Sequence, residues 1–231
     1  MEVKQHRNIE LLSRVAKEIG PLLEKVVFVG GTTTTLYILC QEHIAHARGT
    51  IDVDVILNAS RVGFYKAEKI MRKQGFEHDP TTIHRFIKDD LIVDLMPTDS
   101  TVLGFSNRWY EEGFKKAEVV DIGGTQIKML CFPYFLATKL EAFNGRGKGD
   151  YYGSKDMEDI ITVLAGRKGF LLELIDLKGE IKEFLQKEFT KLLNEREFRD
   201  ALHGHMPLIE GVDSILTGIQ SDLVEFSQLN S

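Results

Sequence analysis

The chain has 231 residues, 43% of them hydrophobic and 28% charged, enough for one large domain or two small ones around a real core. Its 29 Lys and Arg against 35 Asp and Glu leave a formal charge of −6, which argues against coating nucleic acid by bulk charge but leaves room for a local basic track beside an acidic metal site. No apolar run approaches the ~20 residues of a membrane span, the N-terminus lacks the apolar stretch of a signal peptide, and Cys40 and Cys131, far apart in apolar contexts, argue against a disulfide scaffold. A reducing cytoplasm is expected.

In chain order, residues 7–19 place Ile9, Leu12, Val15, Ala16 and Ile19 on one helical face, with Gly20-Pro21 as the stop. Residues 26–29 read as a short buried strand broken by Gly30-Gly31, and Thr32 to about Ala47 reads as a helix. Ile51 to Leu57 alternates as a strand, and 61–74 is an amphipathic helix closing at Gly75. Thr82–Lys88 and Leu91–Met96, split by Asp89-Asp90, read as a hairpin with a two-residue turn; a second hairpin spans 117–129 and turns at Gly123-Gly124. Helices are expected at 133–144, 155–166, 169–176, 178–194 and 208–226. The change of texture near residue 130 predicts an α/β domain with a mixed sheet over 1–130 and a helical C-terminal domain over 131–231, with the active site in the cleft between them.

The sharpest chemical feature is Ile51-Asp52-Val53-Asp54-Val55. Strand alternation puts Asp52 and Asp54 on one face. Two carboxylates side by side on a largely apolar strand repel each other and lose hydration, and a divalent cation removes both penalties. Oxygen donors suit Mg²⁺ or Mn²⁺ rather than zinc. The pair also suits two surface carboxylates. Asp94 stands in the apolar run Leu91–Met96, where a lone carboxylate is out of place. Paired beside 51–57, it would complete a set of three able to hold metal for an in-line displacement; the alternative is a salt bridge to a nearby Lys or Arg.

Val29-Gly30-Gly31-Thr32-Thr33 runs from strand into helix. Glycine permits the tight turn and lets backbone N–H groups approach a phosphate, and Thr32 or Thr33 could supply a hydroxyl. By itself this is ordinary turn chemistry, and it is neither a Walker A loop nor G-x-G-x-x-G. Farther on, Arg146, Lys148 and Lys155 flank a Gly-rich loop holding Tyr151 and Tyr152; the cations could bind triphosphate and a tyrosine could stack on a base. Asp156 and Asp159 could instead charge a helix N-terminus after Ser154. His43 with His46, and His203 with His205, form pairs lacking a third ligand. Trp109 would stack on a base or pin its loop.

The order strand, Gly-Gly-Thr, helix, Arg48-Gly49-Thr50-Ile51-Asp52-Val53-Asp54 and a later strand Asp resembles the polymerase-beta-like nucleotidyltransferase superfamily. Residues 136–164, with Lys139, Glu141, Arg146, Lys155-Asp156 and Asp159, look like the AbiEii/AbiGii type of toxin nucleotidyltransferase. The resemblance covers roughly residues 26–165. The stretch between Gly31 and Asp52 is longer than in compact members of the superfamily. The resemblance implies transfer of an NMP group from an NTP, with Asp52, Asp54 and Asp94 binding Mg²⁺ (or Mn²⁺) and catalytic together with Lys139 and Asp156. It implies nucleotide binding by Gly30, Gly31, Thr32, Thr33, Lys139, Arg146, Lys155 and Asp159. The acceptor it implies is an RNA 3′ end, tRNA included; a protein hydroxyl or a small molecule is the alternative. A cognate antitoxin protein follows from the family alone, and no membrane partner is expected. A non-catalytic nucleotide- or RNA-binding module that binds a partner protein is the other reading, and a metal-dependent phosphohydrolase a third.

Overall fold

The structure, a computed structural model, describes residues 6–147, 149–206 and 210–229. The chain divides into two compact units: Met1–Thr35 with Arg48–Cys131, and Leu36–Ala47 with Phe132–Ser231.

The first unit is built on a mixed sheet of seven strands: β1 (Val26–Val29), β2 (Asp52–Leu57), β3 (Glu77–His78), β4 (Arg85–Lys88), β5 (Leu91–Pro97), β6 (Glu118–Asp121) and β7 (Gln126–Met129). Their spatial order is β3-β4-β5-β2-β1-β7-β6. The α/β class with a mixed sheet, expected from the texture of the sequence, is therefore present. β2 and β5 run parallel in the middle, and β4 returns antiparallel against β5 through a turn in which Asp89 adopts a positive φ of 54°. Helix α1 (Arg7–Glu18) packs on β2 and β5. It buries Asn8, Leu11, Leu12, Val15 and Ala16. Ile9, expected on this face, is only half-buried, and Asn8 takes the inward position because its amide has a task there. Its Oδ1 accepts from the Thr50 backbone N–H at 3.0 Å, and its Nδ2 donates to the Arg48 carbonyl at 3.0 Å, tying α1 to the chain just before β2. Each buried Leu or Val of α1 contributes about 1.5–3 kcal/mol by leaving water.

The expected helix over 32–47 is broken. A 3-10 turn (Gly31–Thr33) leads into α2 (Thr34–Tyr37), and α3 (Gln41–Ile44) follows separately. The break is a hydrogen-bonding choice: the Leu39 and Cys40 backbone N–H groups both donate to the Gly166 carbonyl, at 2.9 and 3.0 Å, instead of continuing a helix. Residues 36–47 thus join the second unit, where the extra length between Gly31 and Asp52 goes. The first unit also carries α4 (Arg61–Lys73), capped by Ser60, and the short α5 (Ser100–Leu103) and α6 (Tyr110–Lys115), which periodicity did not reveal. Strand β3 was likewise too short to show.

From Phe132 onward every described regular element is helical. These are α7 (Phe132–Ala142), a π-helical turn (Phe143–Gly147), α8 (Lys155–Gly166), α9 (Phe170–Ile175), α10 (Glu180–Asn194), α11 (Arg196–Gly204) and α12 (Val212–Gln228). α7 packs on α8, and α10 on both α7 and α12. Residues 178–200 form two helices, with Phe184, Leu185, Phe189 and Phe198 buried between the charges. Leu208 and Ile209 of the expected last helix, and Lys148, lie outside the described residues. Among the described residues, no helix is long and apolar enough to cross a membrane.

Candidate active site

The carboxylates expected to work together meet on the central strands. In the parallel ladder Asp54 stands opposite Asp94, with Asp52 two residues back along β2 on the same face. Val53, Val55, Val93 and Leu95 project to the other face and are fully buried. Asp94 is almost buried, whereas Asp52 and Asp54 are half-exposed.

Arg85 decides the electrostatics of this face. It sits opposite Asp94 in the β4–β5 ladder. Its Nε donates to Asp94 Oδ1 and its Nη2 to Asp94 Oδ2, both at 2.8 Å, a bidentate pair. The same Nη2 reaches Asp52 Oδ2 at 3.2 Å. Hydrogen bonding to Asp94, then its charge and that of Asp52, holds the guanidinium proton even more tightly than usual. His84 Nε2 lies 3.7 Å from Asp94 Oδ2, and its ring packs edge-on against Phe105. Two of the three carboxylates therefore already share one cation, the salt-bridge alternative raised for Asp94. Among the described residues no group of three or more His, Cys, Asp or Glu side chains is arranged to hold a metal ion. Asp52 and Asp54, a pair of hard oxygen donors side by side on one strand face, fit a hard divalent ion by chemistry; Asp94 in this arrangement has both oxygens engaged by Arg85.

Arg85 and His84 escaped notice in the sequence, although a signal existed. The two-residue turn at Asp89-Asp90 pairs Lys88 with Leu91, and three steps along the ladder Arg85 meets Asp94.

The glycine turn lies against this face. Gly30 has φ 77°, open to glycine, and a Cβ there would fall 1.9 Å from Asp54 Oδ2. Thr32 and Thr33 do not present their hydroxyls outward. Thr32 Oγ1 donates to the Asp52 carbonyl at 2.5 Å and lies 2.8 Å from Thr50 Oγ1; Thr33 Oγ1 donates to the Gly30 carbonyl at 2.9 Å. Both threonines are buried; the Thr32 hydroxyl holds the turn to the start of β2, and the Thr33 hydroxyl closes the turn on itself.

In the helical unit, the expected residues Lys139, Arg146, Asp156 and Asp159 come together. Lys139 on α7 is buried, its Nζ donating to Asp159 Oδ2 at 2.7 Å and to Asp156 Oδ1 at 3.2 Å. Arg146, from the π-helical turn, closes the cluster with Nε on Asp156 Oδ2 and Nη2 on Asp156 Oδ1, both at 2.8 Å. Burial alone would strip the Lys139 proton, but Asp159 and Asp156 reverse this and raise its pKa. Burial likewise works against the Asp156 charge, yet Arg146 and Lys139 prevail and hold its carboxyl below the usual range. Lys139 is the counter-ion of two buried carboxylates; Arg146, 73% exposed, and Lys155 at the start of α8 are the cluster's outward cations.

Tyr151 is a core residue, its ring 5.1 Å from Phe143 and 6.5 Å from Phe198, while Tyr152 is exposed. Trp109 is buried under the Arg108 guanidinium and pins its loop. His205 Nε2 lies 2.9 Å from the Tyr151 carbonyl.

No family model and no curated protein matches the chain. Among solved structures it is similar to an antigenic nucleotidyltransferase-like protein from Paracoccidioides brasiliensis, at 15% identity and a TM-score of 0.49, over 91% of this chain and 92% of that one.

Proposed function

We propose that the chain is a metal-dependent nucleotidyltransferase of the polymerase-beta-like kind, moving an NMP group from an NTP to an acceptor hydroxyl. The observation that supports this is the alignment of Asp52, Asp54 and Asp94 on one sheet face beside the left-handed Gly30. Asp52 and Asp54 would hold Mg²⁺ or Mn²⁺, which when bound offsets triphosphate charge. The Gly30-Gly31 backbone, rather than the Thr32 and Thr33 hydroxyls, is the part of the turn available to approach phosphate. Asp94, aimed by Arg85, receives the proton of the attacking hydroxyl. The acceptor oxygen forms a bond to the α-phosphorus, the bond from that phosphorus to the α–β bridging oxygen breaks, and pyrophosphate leaves with the electron pair. Positioning and electrostatics carry such a transfer.

In the helical unit we propose division of labour: Arg146 and Lys155 meet anionic substrate, and Lys139 holds Asp156 and Asp159 in place. The acceptor proposed by resemblance is an RNA 3′ end such as that of tRNA, and a cognate antitoxin protein would make the chain the toxin of a defence pair. A cytoplasmic setting goes with this reading.

The test is purified protein with Mg²⁺, each α-phosphate-radiolabelled NTP and total RNA, alongside an Asp52→Ala/Asp54→Ala variant. Label in RNA that disappears in the variant is the expected result. Label on protein would redirect the reading to protein nucleotidylation. NTP binding without label in any acceptor would favour a binding module, the reading to which Arg85 lends weight because it neutralises Asp94 and Asp52 without a metal. Absence of metal-dependent NTP binding would overturn the site.

A further inference from the structure

The helical unit contains a cavity of about 450 Å³ that none of the chemistry above uses. One wall is α12, which with its preceding Gly211 presents Ser214, Ile215, Gly218, Ile219 and Asp222 at helical spacing. The opposite side is formed by α3 with His43, and by the turn from α8 into α9. The volume is that of a small-molecule site.

One observation distinguishes the space from loose packing. His43 lines the cavity, is only 4% exposed, and its ring makes no hydrogen bond with any described residue. The ring thus turns its polar atoms to the open space, where water or a ligand can pair with them. Burial favours its neutral form, which offers one donor and one acceptor. Gly218, an exposed position of α12, lies on the rim of the cavity, and a Cβ there would meet nothing within 4 Å, so a larger side chain can be placed beside the opening.

The charges around the cavity select the ligand. Glu42, Glu210 and Asp222 line it, and none of the three has a hydrogen bond or ion pair among the described residues. Of the two lining cations, Arg167 is spent: it pairs with both Glu173 oxygens, at 2.7 and 2.8 Å, and donates to the Tyr37 carbonyl at 2.8 Å. Only Lys168 opposes three carboxylates. Phe170, Leu164, Ile215 and Ile219 supply apolar walls.

We infer that this cavity is a binding site for a small organic cation, an amine on an apolar body, whose ammonium meets Asp222 and whose polar tail or bound water satisfies His43. It is independent of the proposed transfer reaction. The experiment is calorimetric titration of the full chain with phenethylamine, with phenylacetate as the probe of opposite charge and matched body. Phenethylamine should bind in the millimolar range or better. Gly218→Leu, which grows a side chain into the open volume and favours the helix, should weaken it by about tenfold or more, and Asp222→Asn by about tenfold for the lost ion pair. Circular dichroism checks that both variants are folded. Failure of phenethylamine to bind, equal or tighter binding of phenylacetate, or binding indifferent to Gly218→Leu would each overturn the proposal.

Discussion

Asp54 and Asp94 stand directly opposite each other across a parallel strand pair, and different features of the fold place them. Arg85 grips Asp94 through both oxygens, while Asp54 is held at the mouth of the glycine turn, in contact range of the position a Gly30 side chain would take. The face is thus asymmetric: one carboxylate is preorganised by a guanidinium and another is placed by an absence of side chain.

Gly30→Ala should displace Asp54. The new methyl must both tolerate φ 77° and avoid an oxygen 1.9 Å away. Destabilisation of about 1–3 kcal/mol is expected by urea unfolding, with loss of Mn²⁺ binding followed by calorimetry. Gly49→Ala, where a Cβ meets nothing within 4 Å, should change neither.

Arg85→Gln leaves Asp94 buried without its counter-ion. A cost of about 3 kcal/mol is expected in metal-free buffer. A divalent ion should then recover part of it, since ligands that bind only the folded state raise its stability. The shift in Tm on adding Mn²⁺ should therefore be larger for the variant than for the parent chain; equal shifts would show that the ion does not use Asp94.

Lys139→Met removes the cation shared by two buried carboxylates, leaving Asp156 to Arg146, and should cost about 3 kcal/mol. Arg146→Ala, which removes an outward cation, should weaken NTP binding more than it lowers stability. The cluster also sets an acid limit. Because the folded Asp156 carboxyl titrates below its unfolded value, its contribution is complete above the ordinary carboxylate range and is lost as pH falls through the depressed folded value. Lys139 has the opposite sign: its contribution is complete below the ordinary lysine range and lost only in strong base. Urea midpoints measured from neutral pH into acid should fall for the parent chain, and less steeply for Asp156→Asn.

Thr32→Val keeps the shape of the side chain and deletes its hydrogen bonds to the Asp52 carbonyl and Thr50. A loss of about 1 kcal/mol is expected, because Thr50 Oγ1 still reaches that carbonyl at 3.3 Å. NTP affinity should follow the position of Asp52 rather than the loss of a hydroxyl, so Thr32→Ser should restore it.

Much of this arrangement was legible from sequence. Alternation placed Asp52 and Asp54 together, and the anomaly of a carboxylate in an apolar strand marked Asp94. Family resemblance named Lys139, Arg146, Asp156 and Asp159 as one functional set. What was not legible has specific causes. The helix expected from Thr32 ends early because Gly166, far along the chain, captures the Leu39 and Cys40 amides. Tyr151, which composition offers as a base-stacking group, is drawn into the core by Phe143 and Phe198. Thr32 and Thr33 had the right chemistry for phosphate, but burial turned their hydroxyls onto the backbone.

The sequence by itself determined the α/β class, the helical second half and the identity of the acidic strand residues, because periods of 2 and 3.6 and local turn chemistry act over a few residues. Only the tertiary structure decided which cation faces which carboxylate, that Arg85 serves Asp94 and Asp52 together, and that Lys139 is enclosed between Asp156 and Asp159. Those outcomes depend on strand pairing and helix packing between distant residues, where distance and dielectric rather than residue type set the strength of each charge.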